Sequence, residues 1–281
     1  VKMSQVKNCF SSPSCDSERK NEMKKILALV MILALILSLS ACGPKEDPNA
    51  EATWEDQLGN PGVIRIGNSP NYPPYDDVDA DGNIIGYDAD FVAFISEYLD
   101  YEVEMIPLEF NTIIASLDAG TIDLGVSCFS YKEDRIVEYS ESYLDTTQAV
   151  LVRADGGIVT SEDLAGRAIS AGRGNVGLDL CYEFQTNMEG IEVIVGEETA
   201  VSVEALKSGA FDAYVAERAV CEAYANASEG QLMVLEEDFW PDSIFVVAKV
   251  GNAALIEKIN EAIAAFRESE ESQQIFDKWF K

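Results

Sequence analysis

An acidic segment near residue 80 has oxygen-bearing side chains at the spacing of a calcium-binding EF-hand loop. The loop pattern falls on Asp77, Asp79, Asp81 and Asp88 as ligand positions, with Gly82 at the turn position and Ile84 at the apolar position. An EF-hand loop lies between two helices, but Pro73-Pro74 just before the segment prevents an entering helix. Asp88 also stands where the loop normally has a bidentate Glu. The Asp81-Gly82 pair between Tyr75 and Ile84 favours a β-hairpin instead, so we expect no metal here.

The 281-residue chain contains no histidine, which excludes several classes of site. Ser-His-Asp triads, Cys-His pairs and His-ligated zinc or haem all require imidazole. The cysteines lack metal-ligand spacing, so neither a metal nor a cofactor is expected. The formal net charge of −30 argues against a nucleic acid partner, because phosphate backbones are bound through clustered Lys and Arg.

The N-terminal region has the features of an export signal. Met23-Lys24-Lys25 precedes an uncharged apolar run over 26–39, which is shorter than a membrane-spanning helix. A basic start, an apolar stretch and small residues before a cleavage point are typical of a signal peptide. We therefore expect residues 1–22 to be an upstream extension outside the fold and 23–41 to be the signal. An uncleaved membrane anchor is the alternative.

The end of this signal, Leu39-Ser40-Ala41-Cys42, resembles the bacterial lipobox, in which the cysteine is acylated. This resemblance implies a lipidated Cys42 and an extracytoplasmic protein held on the bacterial cell membrane by its lipid. The acidic surface repels anionic membranes, so no other membrane contact is expected. Residues 42–61, with Pro44, Pro48 and several charges, are predicted to be the lipidated cysteine and a flexible tether.

From residue 62 onward, short apolar runs alternate with amphipathic helical patterns. Strands are predicted at 63–67, 102–107, 122–126, 149–153, 168–171, 191–195, 213–215, 231–236 and 244–249. Helices are predicted after a cap at Asp88, at 113–118, 178–184 and 201–208, from Glu217, and twice near the C-terminus. The alternation predicts α/β architecture with mostly parallel sheets covered by helices. Ligands of such sheets bind in loops beyond the carboxyl ends of the strands.

The sequences of these loops resemble the family 3, or polar amino acid type, solute-binding proteins of ABC importers. The resemblance runs from about residue 62 to the C-terminus, and its strength lies in the joint order of six motifs. These are IGNSPNYPPY at 66–75, DGNIIGYDAD at 81–90, ASLDAGTIDL at 115–124, KEDR at 132–135, LKSGAFDA at 206–213 and FDKWF at 276–280.

The resemblance implies a type II periplasmic-binding-protein-like fold with two lobes and two hinge crossings, near 146–148 and 236–243. Lobe 1 would comprise 62–144 plus 244–281, and lobe 2 would comprise 145–243. A small polar amino acid would be trapped between the lobes, and the closed form of a monomeric receptor would deliver it to an ABC permease and ATPase.

The resemblance also implies roles for charged residues in the cleft. Arg135 matches the family's arginine that binds the ligand α-carboxylate, and a guanidinium offers two parallel donors in carboxylate geometry. Glu217 matches the acid that receives the α-amino group. The carboxylate would also meet Ser130, backbone groups of Ser127 and Cys128, and the turn Gly174-Asn175-Val176. A surface role is the alternative for Arg135 and Glu217.

Further positions in this resemblance bear on the ligand side chain. Tyr72 and Phe110 match a flanking aromatic pair, with core packing as the alternative for Phe110. Ser69 stands where lysine- and arginine-specific relatives often have Asp, which argues mildly against a cationic side chain. Arg173 meets either an acidic side chain or solvent. Phe245 replaces a usual Gly, and a Cys181–Cys221 disulfide is left open.

Two other functions fit the same fold. A cyclohexadienyl dehydratase-like enzyme would eliminate water and carbon dioxide from a prephenate-like acid, but nothing beyond Glu217 stands out as a general acid. A free-standing amino acid sensor would bind without transport. Binding rather than catalysis is the leading expectation, and the sequence does not fix which amino acid is bound.

Overall fold

A computed structural model describes residues 53–281, which contain eleven strands and seven α-helices. The strands are β1 Val63–Asn68, β2 Asp77–Val78, β3 Ile84–Ile85, β4 Glu102–Pro107, β5 Leu124–Ser130, β6 Glu138–Arg153, β7 Ala168–Gly172, β8 Glu192–Gly196, β9 Ala213–Glu217, β10 Leu232–Val234 and β11 Phe239–Ala248. The α-helices are α1 Tyr87–Leu99, α2 Phe110–Asp118, α3 Val176–Asn187, α4 Thr199–Ser208, α5 Arg218–Ala227, α6 Ala253–Glu268 and α7 Glu270–Phe280. Short 3-10 helices lie at Glu55–Gln57 and Ser161–Leu164.

The main sheet has the strand order β4-β1-β5-β11-β6-β9-β7-β8, and β10 pairs with β6. β1 is parallel to β4 and β5, and β7 is parallel to β8 and β9. The long strands β6 and β11 run antiparallel to each other between these two parallel groups. The predicted α/β class with mostly parallel sheets flanked by helices is confirmed.

The middle of the sheet brings the two predicted hinge segments side by side. In the register of β6 with β11, Gln148 faces Phe239 and Thr146 faces Asp242. Gln148 also faces Glu217 at the end of β9. Three strands therefore converge where the candidate ligand-binding acid lies.

One face of α1 packs in the core, although Tyr98 at its C-terminal end is exposed. Phe91 and Ile95 are fully buried, and the Phe91 ring stacks on Tyr143 with centroids 4.3 Å apart. Phe266 of α6 contacts the same ring edge-on at 5.0 Å. Burying side chains of this size contributes about 1.5–3 kcal/mol each, so this cluster fixes α1 and α6 against the sheet.

The segment that resembles a calcium loop folds as the predicted hairpin. β2 and β3 pair antiparallel, and the Asp79 carboxylate accepts hydrogen bonds from the backbone of Asp81 and Asn83. The predicted helix cap at Asp88 is wrong. The cap residue is Gly86, and Asp88 lies inside the first turn, where its buried carboxylate is engaged by groups outside the helix.

The structure also decides two further points, one a prediction and one a question left open. The tether prediction is wrong for its last part, because Leu58 is buried and the Trp54 ring packs edge-on against Tyr101 at 4.9 Å. Cys181 and Cys221 are buried free thiols, so they do not form the disulfide left open above.

The expectations for residues 1–22, for the signal at 23–41 and for Cys42 lie outside the described residues. Over 53–281, no helix has the length and apolar character needed to cross a membrane.

Candidate functional site

A cavity of about 70 Å³ lies beyond the carboxyl ends of the parallel strands. Six of the predicted ligand-binding residues line it: Ser69, Tyr72, Phe110, Ser127, Cys128 and Asn175. They come from the loop after β1, the start of α2, strand β5 and the turn between β7 and α3. The other five predicted residues, Ser130, Arg135, Gly174, Val176 and Glu217, do not line this cavity. Several of them contact its walls, as described below.

Glu217 is the last residue of β9 and is only 2% exposed. Its carboxylate accepts hydrogen bonds from Gln148 Nε2 at 3.2 Å and from the hydroxyl of the cavity residue Tyr72, and Ser130 Oγ lies 3.4 Å away. Burial, and then the neighbouring Asp242 carboxylate, raise the pKa of Glu217 above its usual value. The predicted alternative, a solvated charge at a helix start, is incompatible with this burial.

Sequence reasoning missed Asp242 and Gln148. Asp242 is half-buried on β11 and accepts hydrogen bonds from Ser130 Oγ at 2.7 Å and Gln148 Nε2 at 2.9 Å. Gln148 is fully buried on β6, and its one amide nitrogen reaches both Asp242 and Glu217. The sequence did contain a signal for Gln148, because a polar residue directly before the apolar run 149–152 suggests a buried hydrogen-bonding role.

Arg135 reaches across from the loop after β5 to the turn that precedes α3. Its Nη2 donates to the Gly174 carbonyl at 2.9 Å, and its Nη1 donates to the Ser130 carbonyl at 2.5 Å. The guanidinium carbon lies 5.1 Å from the centroid of the Phe129 ring and 6.0 Å from that of Phe110. These cation–π distances hold the arginine beside the cavity wall formed by Phe110.

The predicted glycine turn leads directly into α3. Asn175 is its cap residue, and Val176 is the first residue of the helix, whose leading N–H groups favour an anion. A Cβ on Gly177 would lie 2.8 Å from the Val215 carbonyl oxygen, so the helix start packs closely on β9. Lys132 forms an ion pair with Asp179 of α3, so it joins Arg135 in linking the loop after β5 to this helix.

Ser127 and Cys128 belong to a buried polar cluster behind the cavity. The Ser127 hydroxyl donates to Asp76 at 3.1 Å, and the Cys128 N–H donates to Asp88 at 2.8 Å. Burial raises the pKa of Asp88 to about 7, and burial with the adjacent Asp88 charge raises that of Asp76. The Cys128 N–H therefore does not face a ligand carboxylate as expected, because Asp88 already takes it. The Ser130 hydroxyl likewise donates to Asp242.

The exposed residues of the cavity lining are mainly acidic. Glu109, Glu197 and Glu198 lie there together with Arg173. Arg173 forms a bidentate ion pair with Glu197, in which Nη2 lies 2.6 Å from Oε1 and Nε lies 3.1 Å from Oε2. Its guanidinium is therefore already paired with a carboxylate.

Three aromatic or polar residues complete the description of the cavity region. The Phe110 ring stacks on Phe129 with centroids 4.7 Å apart, so it both packs in the core and lines the cavity. Ser69 is 2% exposed, and within the described chain its hydroxyl has no hydrogen-bond partner. Phe245 packs edge-on against Tyr139 at 5.7 Å and does not line the cavity.

Comparison with known families agrees with this geometry. Residues 64–281 match the model of the bacterial extracellular solute-binding proteins, family 3. The chain belongs to this family. Membership places it among proteins that act outside the cytoplasm.

Individual family 3 relatives bear names of amino-acid-binding proteins. A probable histidine-binding protein of Neisseria gonorrhoeae is 26% identical over 92% of this chain and 96% of its own length. The L-cystine-binding protein TcyJ of Escherichia coli K12 is 25% identical over 92% of this chain and 95% of its own. An ancestral arginine-binding protein, solved bound to glutamine, matches 78% of this chain and 98% of its own at 28% identity, with a TM-score of 0.72.

Proposed function

We propose that this family 3 protein captures an amino acid between two closing lobes and delivers it to an ABC permease and ATPase. The lobes would be residues 62–144 plus 244–281 and residues 145–243. The observation that carries the proposal is the buried Glu217 carboxylate, with Tyr72 contacting it from the loop after β1. A buried carboxylate is costly to keep charged unless a cation pairs with it. The site therefore favours a ligand that brings a positive charge.

Arg135 would bind the α-carboxylate of the same ligand. A guanidinium has five N–H donors, and the Ser130 and Gly174 carbonyls accept from only some of them. The neighbouring start of α3 offers further N–H groups to the same anion. Because Arg135 and Glu217 lie on different proposed lobes, a zwitterion that contacts both would favour the closed state.

The charged residues in the cavity lining indicate which ligand side chains would be accepted. With Arg173 paired to Glu197, the remaining charges of Glu109 and Glu198 disfavour an acidic side chain. The unpartnered Ser69 hydroxyl can hydrogen-bond a polar group instead. We therefore propose ligands with neutral polar or cationic side chains, which revises the mild argument against cations drawn from the missing Asp at position 69.

We further propose that the protein works as a monomer and that Cys42 carries the lipid anchor. The anchor proposal rests on the lipobox-like sequence before this cysteine. The acidic surface supports attachment through acyl chains rather than through charge.

A thermal-shift screen against the twenty amino acids tests the binding proposal. A ligand at about 100 times its Kd adds about 2.7 kcal/mol, which raises the Tm by roughly 5–10 °C. We expect such a shift with polar or cationic amino acids, and a larger shift with glutamine than with glutamate.

Arg135→Ala is expected to abolish the shift because the α-carboxylate loses its cationic partner. Arg167→Ala, which removes a partly exposed arginine paired to Asp212 at 3.7 Å, is the matched control and should keep the shift. If folded, ligand-free wild-type protein shifts with none of the twenty amino acids, the proposed function is wrong.

A further inference from the structure

Asp242 and Glu217 share two hydrogen-bond donors. Gln148 Nε2 donates to both carboxylates, at 2.9 and 3.2 Å, and Ser130 Oγ lies 2.7 and 3.4 Å from them. The serine hydroxyl has a single proton and can serve only one carboxylate at a time. The two acids therefore lie within reach of each other around a small set of neutral donors.

Positive charge is scarce around this pair. Within residues 53–281, no lysine or arginine forms an ion pair with Asp242 or Glu217. The guanidinium of Arg135 forms no ion pair with Asp242, and its charge lowers the pKa of Asp242 only slightly. The larger effect is burial, which raises that pKa. Two adjacent desolvated carboxylates without a cation repel each other, and an ammonium group with three N–H donors would relieve both costs.

We propose that Asp242 acts with Glu217 as a single dicarboxylate site for the ligand ammonium, and that the pair releases a proton to solvent when the ammonium binds. The proposal rests on the proposed function and extends it to a residue and a proton step. The proton leaves a carboxyl oxygen of the pair, and its place is taken by an N–H of the ligand. No other reactant is needed.

The sign of the pH effect follows from the environment of the pair. Burial raises the pKa of both Glu217 and Asp242. In the pH range just below the raised pKa, the pair therefore still holds a proton, whereas a solvent-exposed carboxyl group would have lost it. The facing groups Tyr72, Cys128 and Tyr214 have pKa values raised above their usual range and stay neutral there. Amino acid affinity should therefore fall as the pH drops through the pKa of the pair.

The nearby Asp76–Asp88 pair also titrates, since burial raises the pKa of Asp88 to about 7. It lies behind Cys128 and would contribute equally to the wild type and to a variant at position 242. A comparison between those two proteins therefore isolates the contribution of Asp242. Asp145→Asn is the matched control, because Asp145 is an exposed neighbour on β6 whose side chain, among residues 53–281, bonds just the Ser243 hydroxyl.

Two measurements on the purified protein test the proposal. Calorimetric titration with L-glutamine and L-arginine, in buffers of different ionisation enthalpy from pH 5 to 8, counts the protons released. Carbon-13 NMR of labelled carboxyl groups follows the titration of Glu217 without ligand. The variant is Asp242→Asn, compared with Asp145→Asn and the wild type.

We expect the wild type to release protons at the acidic end of the range and none at pH 8. Asp242→Asn should lower the affinity about 10-fold at pH 8, reduce the proton release and lower the apparent pKa of Glu217. Asp145→Asn should change none of these. An unchanged Glu217 titration in Asp242→Asn, or unchanged affinity, overturns the proposal. If the wild type binds no amino acid, both the proposed function and the ammonium role are wrong. The NMR titration would still show separately whether the charge of Asp242 changes the pKa of Glu217.

Discussion

Replacing Glu217 by Gln is expected to lower the affinity for amino acids by about 100-fold or more while leaving the protein folded. The change removes the negative charge that faces the ligand ammonium in a buried site, where loss of one partner of a charge pair costs about 2–5 kcal/mol. The glutamine has nearly the same shape and still accepts a hydrogen bond from Tyr72. Isothermal titration calorimetry measures the loss.

The same variant should be more stable than the wild type when no ligand is present. The pKa of Glu217 is raised in the folded state, so the stability contributed by its protonated form is lost as the pH rises through that pKa. At neutral pH the glutamine avoids this loss, and we expect a gain of about 1 kcal/mol in denaturant unfolding. Glu222→Gln, an exposed change on α5, is the matched control and should alter neither property. Full affinity in Glu217→Gln would rule out the ammonium role.

Gly86→Ala is expected to destabilise the protein by about 4 kcal/mol or more, a large part of the total stability of a domain. Gly86 has φ = 132°, and a Cβ there would lie 2.0 Å from the carbonyl oxygen of Tyr75. That oxygen accepts a hydrogen bond from the N–H of Asp88. The backbone at Tyr75 therefore cannot shift to make room for the Cβ without breaking this hydrogen bond. Denaturant unfolding or the yield of folded protein measures the effect.

Gly82→Ala is the matched control for this position. Gly82 also has a positive φ, of 87°, but a Cβ there meets no atom within 4 Å. It should cost only about 1 kcal/mol through backbone conformation. Similar losses at both positions would show that the Tyr75 carbonyl does not lie as close to Gly86 as the structure places it.

Most of the fold followed from local sequence patterns. The β-branched run at 63–67 and the stripe of Phe91 and Ile95 became a buried strand and a packed helix face. Such patterns report which side of an element is buried, and that is the main determinant of an α/β layer structure. The first residue of a helix was missed where tertiary contacts determine it. Asp88 looked like a helix cap, but its carboxylate was taken by the Cys128 N–H and Tyr143.

The candidate site was only partly predictable. Motif resemblance identified Tyr72 and Glu217, which contact each other although they lie 145 positions apart in the chain. Asp242 and Gln148 were missed because their proximity depends on the register of β6 with β9 and β11, which no local pattern specifies. Hydrogen-bond donors expected to meet the ligand carboxylate were likewise engaged by partners from distant strands. The Ser130 hydroxyl, for example, donates to Asp242.

The central claim is that one zwitterion contacts both Arg135 and Glu217, and blocked ligands test it most directly. The amino acid with the largest thermal shift should be titrated beside its methyl ester, which lacks the carboxylate charge, and its N-acetyl derivative, which lacks the ammonium. We predict that each derivative binds at least 100-fold more weakly than the parent, a difference of about 2.7 kcal/mol. If either derivative binds as tightly as the parent, that end of the ligand is not held by a buried opposite charge and the account is contradicted.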